Sequence, residues 1–117
     1  MNYIILDEAD EYIHLRLATD GEPGMPGSFP DIASLLIARP HPKTIVIDMR
    51  GIQWIDSSNI GGLIGVHRKC LEMGRQLILH AVQPAVVEVL RFCKLDRFFT
   101  IKPGQKEALE LAVGGVR

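Results

Sequence analysis

The sequence predicts an α/β fold: a mixed, largely parallel sheet of four to five strands with about four helices. Three observations carry this. Apolar strand-like runs alternate with amphipathic stretches from Ile13 onward, the order that builds strand–helix–strand units. The run TIVIDM, Thr44 to Met49, is almost continuously apolar and β-branched, as a strand covered on both faces would be. Proline and glycine punctuate the chain where these segments begin and end.

The elements follow in order. Tyr3 to Leu6 read as a weak first strand, and DEADE after it suits a turn. Ile13, Leu15 and Leu17 alternate with His14 and Arg16, the period of two of a strand with one wet face. Asp20 to Pro30, DGEPGMPGSFP, has no periodicity and reads as a loop. Ser28, Pro30 and Asp31 then read as a helix start: a capping serine, a proline at a first helical position and an acid completing a capping box. Ile32, Leu35 and Leu36 give that helix its buried stripe, and Pro40 and Pro42 stop it. Helical spacing resumes after Asp56, with Ile60, Leu63, Ile64 and Leu71 on one face and His67, Arg68, Lys69 and Glu72 mostly off it. Gly74 closes that helix. QLILHA, Gln76 to Ala81, is the next strand, and Pro84 opens a helix carrying Val86, Val89, Leu90 and Cys93. FFTI, Phe98 to Ile101, is a short strand, and Pro103 opens a last helix with Ala108, Leu109, Ala112 and Val113.

A chain of 117 residues with 47% hydrophobic and 23% charged residues suits one globular domain, residues 1–117. The net charge is −1, with no basic stripe, which argues against nucleic acid as a partner. The apolar runs are too short to span a bilayer. The start, MNYIILDEADEYIHL, carries acids where an export signal needs basic residues, so a cytoplasmic location is expected. Cys70 and Cys93 lie in helical patterns, which suggests buried free thiols in a reducing compartment. His14, His41, His67 and His80 show no metal-ligand spacing, and no metal or cofactor is expected.

The stretch IDSSNIGG, Ile55 to Gly62, concentrates the polar chemistry. Ser57 or Ser58 can cap the helix that begins there, a role worth about 1 kcal/mol. One cap needs only one hydroxyl, so the second is left over. A catalytic serine is poorly supported: QWIDSSNIG is not a nucleophile elbow, no histidine is tied to the serines by a motif, and GGLIG lacks the lysine of a phosphate-binding loop. His80, at the end of a neighbouring strand, does not by itself make a triad. A phosphate acceptor fits better. The helix N-terminus offers free N–H groups and positive dipole charge to a phosphate. The same phosphate adds about −1.5 to −2 charge beside Asp56 and repels a docked partner. Gly61, Gly62 and Gly65 either pack closely on the sheet or admit a partner's backbone.

From Thr44 to Ile101 the chain resembles the STAS domain, the anti-sigma-factor antagonist family. The resemblance rests on an apolar strand, a short loop, then Asp56, Ser57, Ser58, Asn59, Ile60 and Gly61 opening a helix. It also rests on a tail matched by Pro84, Val86, Leu90, Leu95, Asp96 and Phe99. It implies a binding protein rather than an enzyme. The acceptor would be Ser57, phosphorylated by a partner serine kinase that is also an anti-sigma factor and reset by a PP2C-type phosphatase. Its alternative is a STAS module that binds constitutively, as a stressosome scaffold or transport-complex subunit. A homodimer through the exposed helix after Ser57 stays open. Two departures stand out. Asn59 occupies a glycine position of the motif, and Pro23 and Gly24 follow Gly21 and Glu22 where antagonists carry a hydrophobic residue and an acid.

Overall fold

The computed structural model describes residues 1–18, 29–39 and 42–114. Strands β1 (Asn2–Glu8), β2 (Tyr12–Ala18), β3 (Thr44–Asp48), β4 (Gln76–His80) and β5 (Thr100–Lys102) form one sheet in sequence order. β1 runs antiparallel to β2, with an irregularity between Ile5 and Asp7, and the other pairings are parallel. Helices α1 (Ile32–Ala38), α2 (Ser57–Glu72), α3 (Pro84–Phe92) and α4 (Gln105–Ala112) complete the described fold.

Strands added in sequence order through right-handed crossovers place their connecting helices on one face. Ile13, Leu15, Leu17, Ile45, Ile47, Leu77 and Leu79 form a continuous core there with Ile32 and Leu36 of α1, Leu63 and Cys70 of α2, and Val86 and Leu90 of α3. On the opposite face Val46 and Ile78 pack under Ala108 and Ala112 of α4. β3 is buried along its whole length, as its β-branched run predicts.

Several local expectations are corrected. The loop expected over Asp20–Pro30 falls mostly on residues 19–28, and these, with Ser28, lie outside the described residues. Asp31, not Ser28, caps α1: its carboxylate accepts the Ser34 N–H at 2.9 Å and the Ser34 hydroxyl at 2.6 Å. β2 has no fully wet second face, because His14 is buried. The stripe of α2 is rotated from its predicted position, burying Asn59, Leu63, Val66, His67 and Cys70 and leaving Leu71 exposed. His67 is accommodated by ring-edge packing on Phe98, centroids 4.7 Å apart, and on Phe99. Cys70 is buried, and burial pushes its thiol up to about 11, whereas Cys93, just past α3, is exposed. Gly74, at φ +68, lies just past the end of α2 as its sequence position predicts.

Candidate functional site

The segment between β3 and α2 is held at both ends. The Met49 N–H donates to the His80 carbonyl at 2.9 Å, and the Ile52 N–H donates to the Met49 carbonyl at 3.0 Å. Gln83 Nε2 donates to the Arg50 carbonyl at 2.7 Å, which ties the segment to the start of α3. Ile52 and Ile55 are buried anchors, and Trp54 between them is 42% exposed.

Asp56 ends the segment in extended backbone (φ −100, ψ 177), and its Oδ1 accepts the Asn59 N–H at 2.8 Å. It is therefore the N-cap, and neither serine is. The sequence reading offered Ser57 or Ser58 for that role; the carboxylate one residue earlier outcompetes them. Ser57 and Ser58 fall in the first turn of α2, both exposed. Backbone N–H groups at such positions have no intrahelical acceptor.

Asn59 faces the interior. It is 1% exposed, and neither its Oδ1 nor its Nδ2 has a hydrogen-bond partner. Each such orphaned group costs on the order of 1–3 kcal/mol. Ile60 is half-buried against the core, and its N–H closes the first turn on the Asp56 carbonyl at 2.9 Å. The glycines divide. A Cβ at Gly61 or Gly65 would meet nothing within 4 Å, so these two do not serve close packing on the sheet. A Cβ at Gly62 would come within 2.5 Å of Phe29, so this glycine admits that ring.

A second polar group lies at the same end of the sheet. Asp48 is fully buried; its Oδ2 pairs with Arg16 Nε at 3.0 Å and Arg50 Nε at 2.9 Å, and its Oδ1 accepts the Arg50 N–H at 2.9 Å. Burial opposes its charge, but these partners outweigh burial and hold the carboxyl below the usual range. The charge of Asp48 is thus compensated by two arginines and adds no acidity to the surface around Ser57. His14 Nε2 and His80 Nε2 lie 2.8 Å apart, both rings buried. Burial lowers the affinity of both imidazoles for a proton, with Asp48 opposing it. With Asp48 they form a cluster of three donors within 4.8 Å. Sequence spacing misses this, because the two histidines are 66 residues apart and meet only through the parallel register of β2, β3 and β4. The positional signal is partial: Asp48 and His80 each end a strand, whereas His14 lies before the midpoint of β2. Among the described residues no hydrogen bond links His80 to Ser57 or Ser58, so no Ser–His pair is assembled. A cavity of about 640 Å³ lined by Asp10, Glu11, Lys43 and the end of α4 opens at the opposite end of the sheet.

The STAS domain family model matches residues 6–108. The chain is also similar in structure to the anti-sigma factor antagonist SpoIIAA in its unphosphorylated form, at 19% identity and a TM-score of 0.66, over 98% of this chain and 99% of that one. A RsbS variant from Moorella thermoacetica matches at 20% identity and a TM-score of 0.73, over 95% and 94% of the two chains. A component of the stressosome, described as a signal integration and transduction hub, matches at 21% identity and a TM-score of 0.73, over 97% and 99%. At these identities the structural likeness speaks to the fold. Among the described residues no helix is long and apolar enough to cross a membrane.

Proposed function

The chain belongs to the STAS domain family, and from that premise we propose that it is a regulatory binding protein of the anti-sigma-factor antagonist type, switched by phosphorylation of Ser57. The observation that carries this reading is the division of labour at the start of α2. Asp56 supplies the cap, so the Ser57 hydroxyl has no structural duty there and is exposed. A phosphate on it would sit at a helix N-terminus, favoured by the unpaired N–H groups and the dipole. The fold keeps its cap and its core while the surface gains about −1.5 to −2 charge.

The docking surface comprises Ser57 and Ser58 with the open glycines Gly61 and Gly65 and the exposed ring of Trp54. Its partner is a serine kinase that doubles as an anti-sigma factor, and a PP2C-type phosphatase reverses the modification. Residues 1–117 act as one cytoplasmic domain that binds and does not turn over substrate. Asn59 in place of the motif glycine does not obstruct this, because its side chain is directed into the core and leaves the surface clear.

Mass mapping of the protein purified from its own cell, with affinity measurements on Ser57→Ala and Ser57→Asp, tests the reading. A phosphate is expected on Ser57. Both variants should fold within about 1 kcal/mol of the parent, since neither removes the cap. Ala should keep affinity for the kinase, while Asp should lose at least a few kcal/mol by placing an uncompensated charge in the interface. Equal binding by both variants, with no phosphate on Ser57 in the cell, would instead support the constitutive module.

A further inference from the structure

We propose that His14 and His80 form a buried proton-sharing pair, a pH-operated latch between β2 and β4 at the root of the segment that leads to Ser57. The inference rests on the sheet and not on the modification of Ser57.

The geometry allows one hydrogen between the rings. The Nε2 atoms are 2.8 Å apart while the ring centroids are 5.0 Å apart, so the two nitrogens lie between the rings and face each other nearly head-on. Two bare lone pairs at this distance repel, and two N–H groups collide. The pair must therefore hold complementary neutral tautomers, one protonated at Nε2 and the other at Nδ1. Both residues are essentially inaccessible to solvent, and His80 Nδ1 has no partner.

The charges around the pair come from every neighbouring element. Asp7 of β1 stands opposite His14 in register and accepts the Tyr12 hydroxyl at 2.7 Å. Arg16 follows on β2, Asp48 pairs with His80 across β3, Arg50 lies in the turn beyond, and Lys102 pairs with His80 on β5. α4, packed against β3, β4 and β5, carries Lys106, Glu107 and Glu110, all exposed. Burial disfavours an imidazolium here; Asp48 opposes this for both rings, and Asp7 also does so for His14.

A proton taken from solvent adds to the bare Nδ1 of the donating ring, because the accepting ring's Nε2 lone pair is already held in the N–H···N bond. That bond survives the first proton, and the new Nδ1–H needs an acceptor. A second proton, on the accepting Nε2, sets two N–H groups against each other, so one ring must turn. The carboxylate of Asp48 lies within 4.8 Å of a nitrogen of each ring, and its oxygens hold Arg16, Arg50 and the Arg50 N–H. An imidazolium that competes for this carboxylate loosens the first residues after β3. A shared divalent cation is the competing explanation for the cluster. It is less well supported, because the two nitrogens aim at each other rather than at a third point. Asp48 Oδ2 is also held by two cationic guanidinium groups that repel a metal ion, and Oδ1 is taken by the Arg50 backbone N–H.

Imidazole NMR of the full chain tests the latch. At neutral pH one of the two rings should carry its hydrogen on Nδ1 and the other on Nε2. The two should titrate together with a midpoint below the ordinary 6.5. Amide exchange at Met49 and Arg50, corrected for its intrinsic pH dependence, should accelerate on acidification, and His14→Leu should lose that acceleration. If His14→Leu does not fold, the tautomers and the joint titration of the parent decide alone. Identical tautomers, independent titration near 6.5, or one equivalent of zinc chloride shifting both rings at neutral pH would each overturn the proposal, the last in favour of a metal site.

Discussion

The two faces of the sheet are built on different principles. Under α1, α2 and α3 the strands present a continuous apolar layer, Ile13, Leu15 and Leu17 beside Ile45 and Ile47 and Leu77 and Leu79, met by branched side chains from three helices. Under α4 the apolar layer stops after Val46 and Ile78, and the helix meets them with alanines. Beyond it the same strands bury His14, Asp48 and His80. The helix-rich face can supply most of the hydrophobic stabilisation, which scales with apolar area removed from water. That leaves the other face free to hold ionisable groups next to the segment that presents Ser57. Stability and polar chemistry are thus divided between two sides of one sheet.

The largest expected effect lies on the apolar side. Leu15 is fully buried in β2, and Leu15→Ala should cost about 2–5 kcal/mol, read from the midpoint of urea unfolding. For a domain of this size that is a large fraction of the total, roughly 5–15 kcal/mol. The polar side should respond less. Asp48→Asn removes the charge but keeps the shape, and Arg16 and Arg50 are 33% and 53% exposed, so both can turn to water. The loss should be about 2 kcal/mol, the range for hydrogen bonds to a charged group. A loss at Asp48 exceeding that at Leu15 would break the comparison and make the buried ion cluster the main support of the fold.

Much of this architecture was legible in the sequence. The β-branched run of β3, the stripe Ile32, Leu35 and Leu36, and Gly74 past α2 are local signals, and each element formed where its signal lay. Resemblance supplied the family. What escaped depended on distant partners. The buried face of α2 is set by Phe98 and Phe99, which give His67 a place that its polarity does not announce. The sequence does not single out Asp56 as the cap because the two serines beside it have comparable capping preference, and only backbone geometry chooses among them. The meeting of His14 with His80 needed the register of three strands, which no single segment encodes.

The smallest effect sharpens the comparison by asking how acid sensitivity is shared between the faces. His67 belongs to the helix-rich face and the His14–His80 pair to the other, and burial depresses the proton affinity of all three. A depressed histidine stays neutral in the fold at a pH where the unfolded chain has already taken up its proton. Its contribution is therefore complete above the unfolded value of about 6.5 and is lost as pH falls from there through the folded value. Each such proton adds about 1.4 kcal/mol per pH unit to the slope of stability against pH. For His67, burial is opposed by a hydrogen bond to the Phe98 backbone. The adjacent aromatic rings also favour a cation, so its share should be less than one full proton. Urea unfolding at closely spaced pH values between about 5 and 7.5 should show a shallower slope for His67→Leu than for the parent, with most of the acid sensitivity retained. If His67→Leu abolishes the slope, the acid response resides in the helix-rich face and the two faces are not divided in this way.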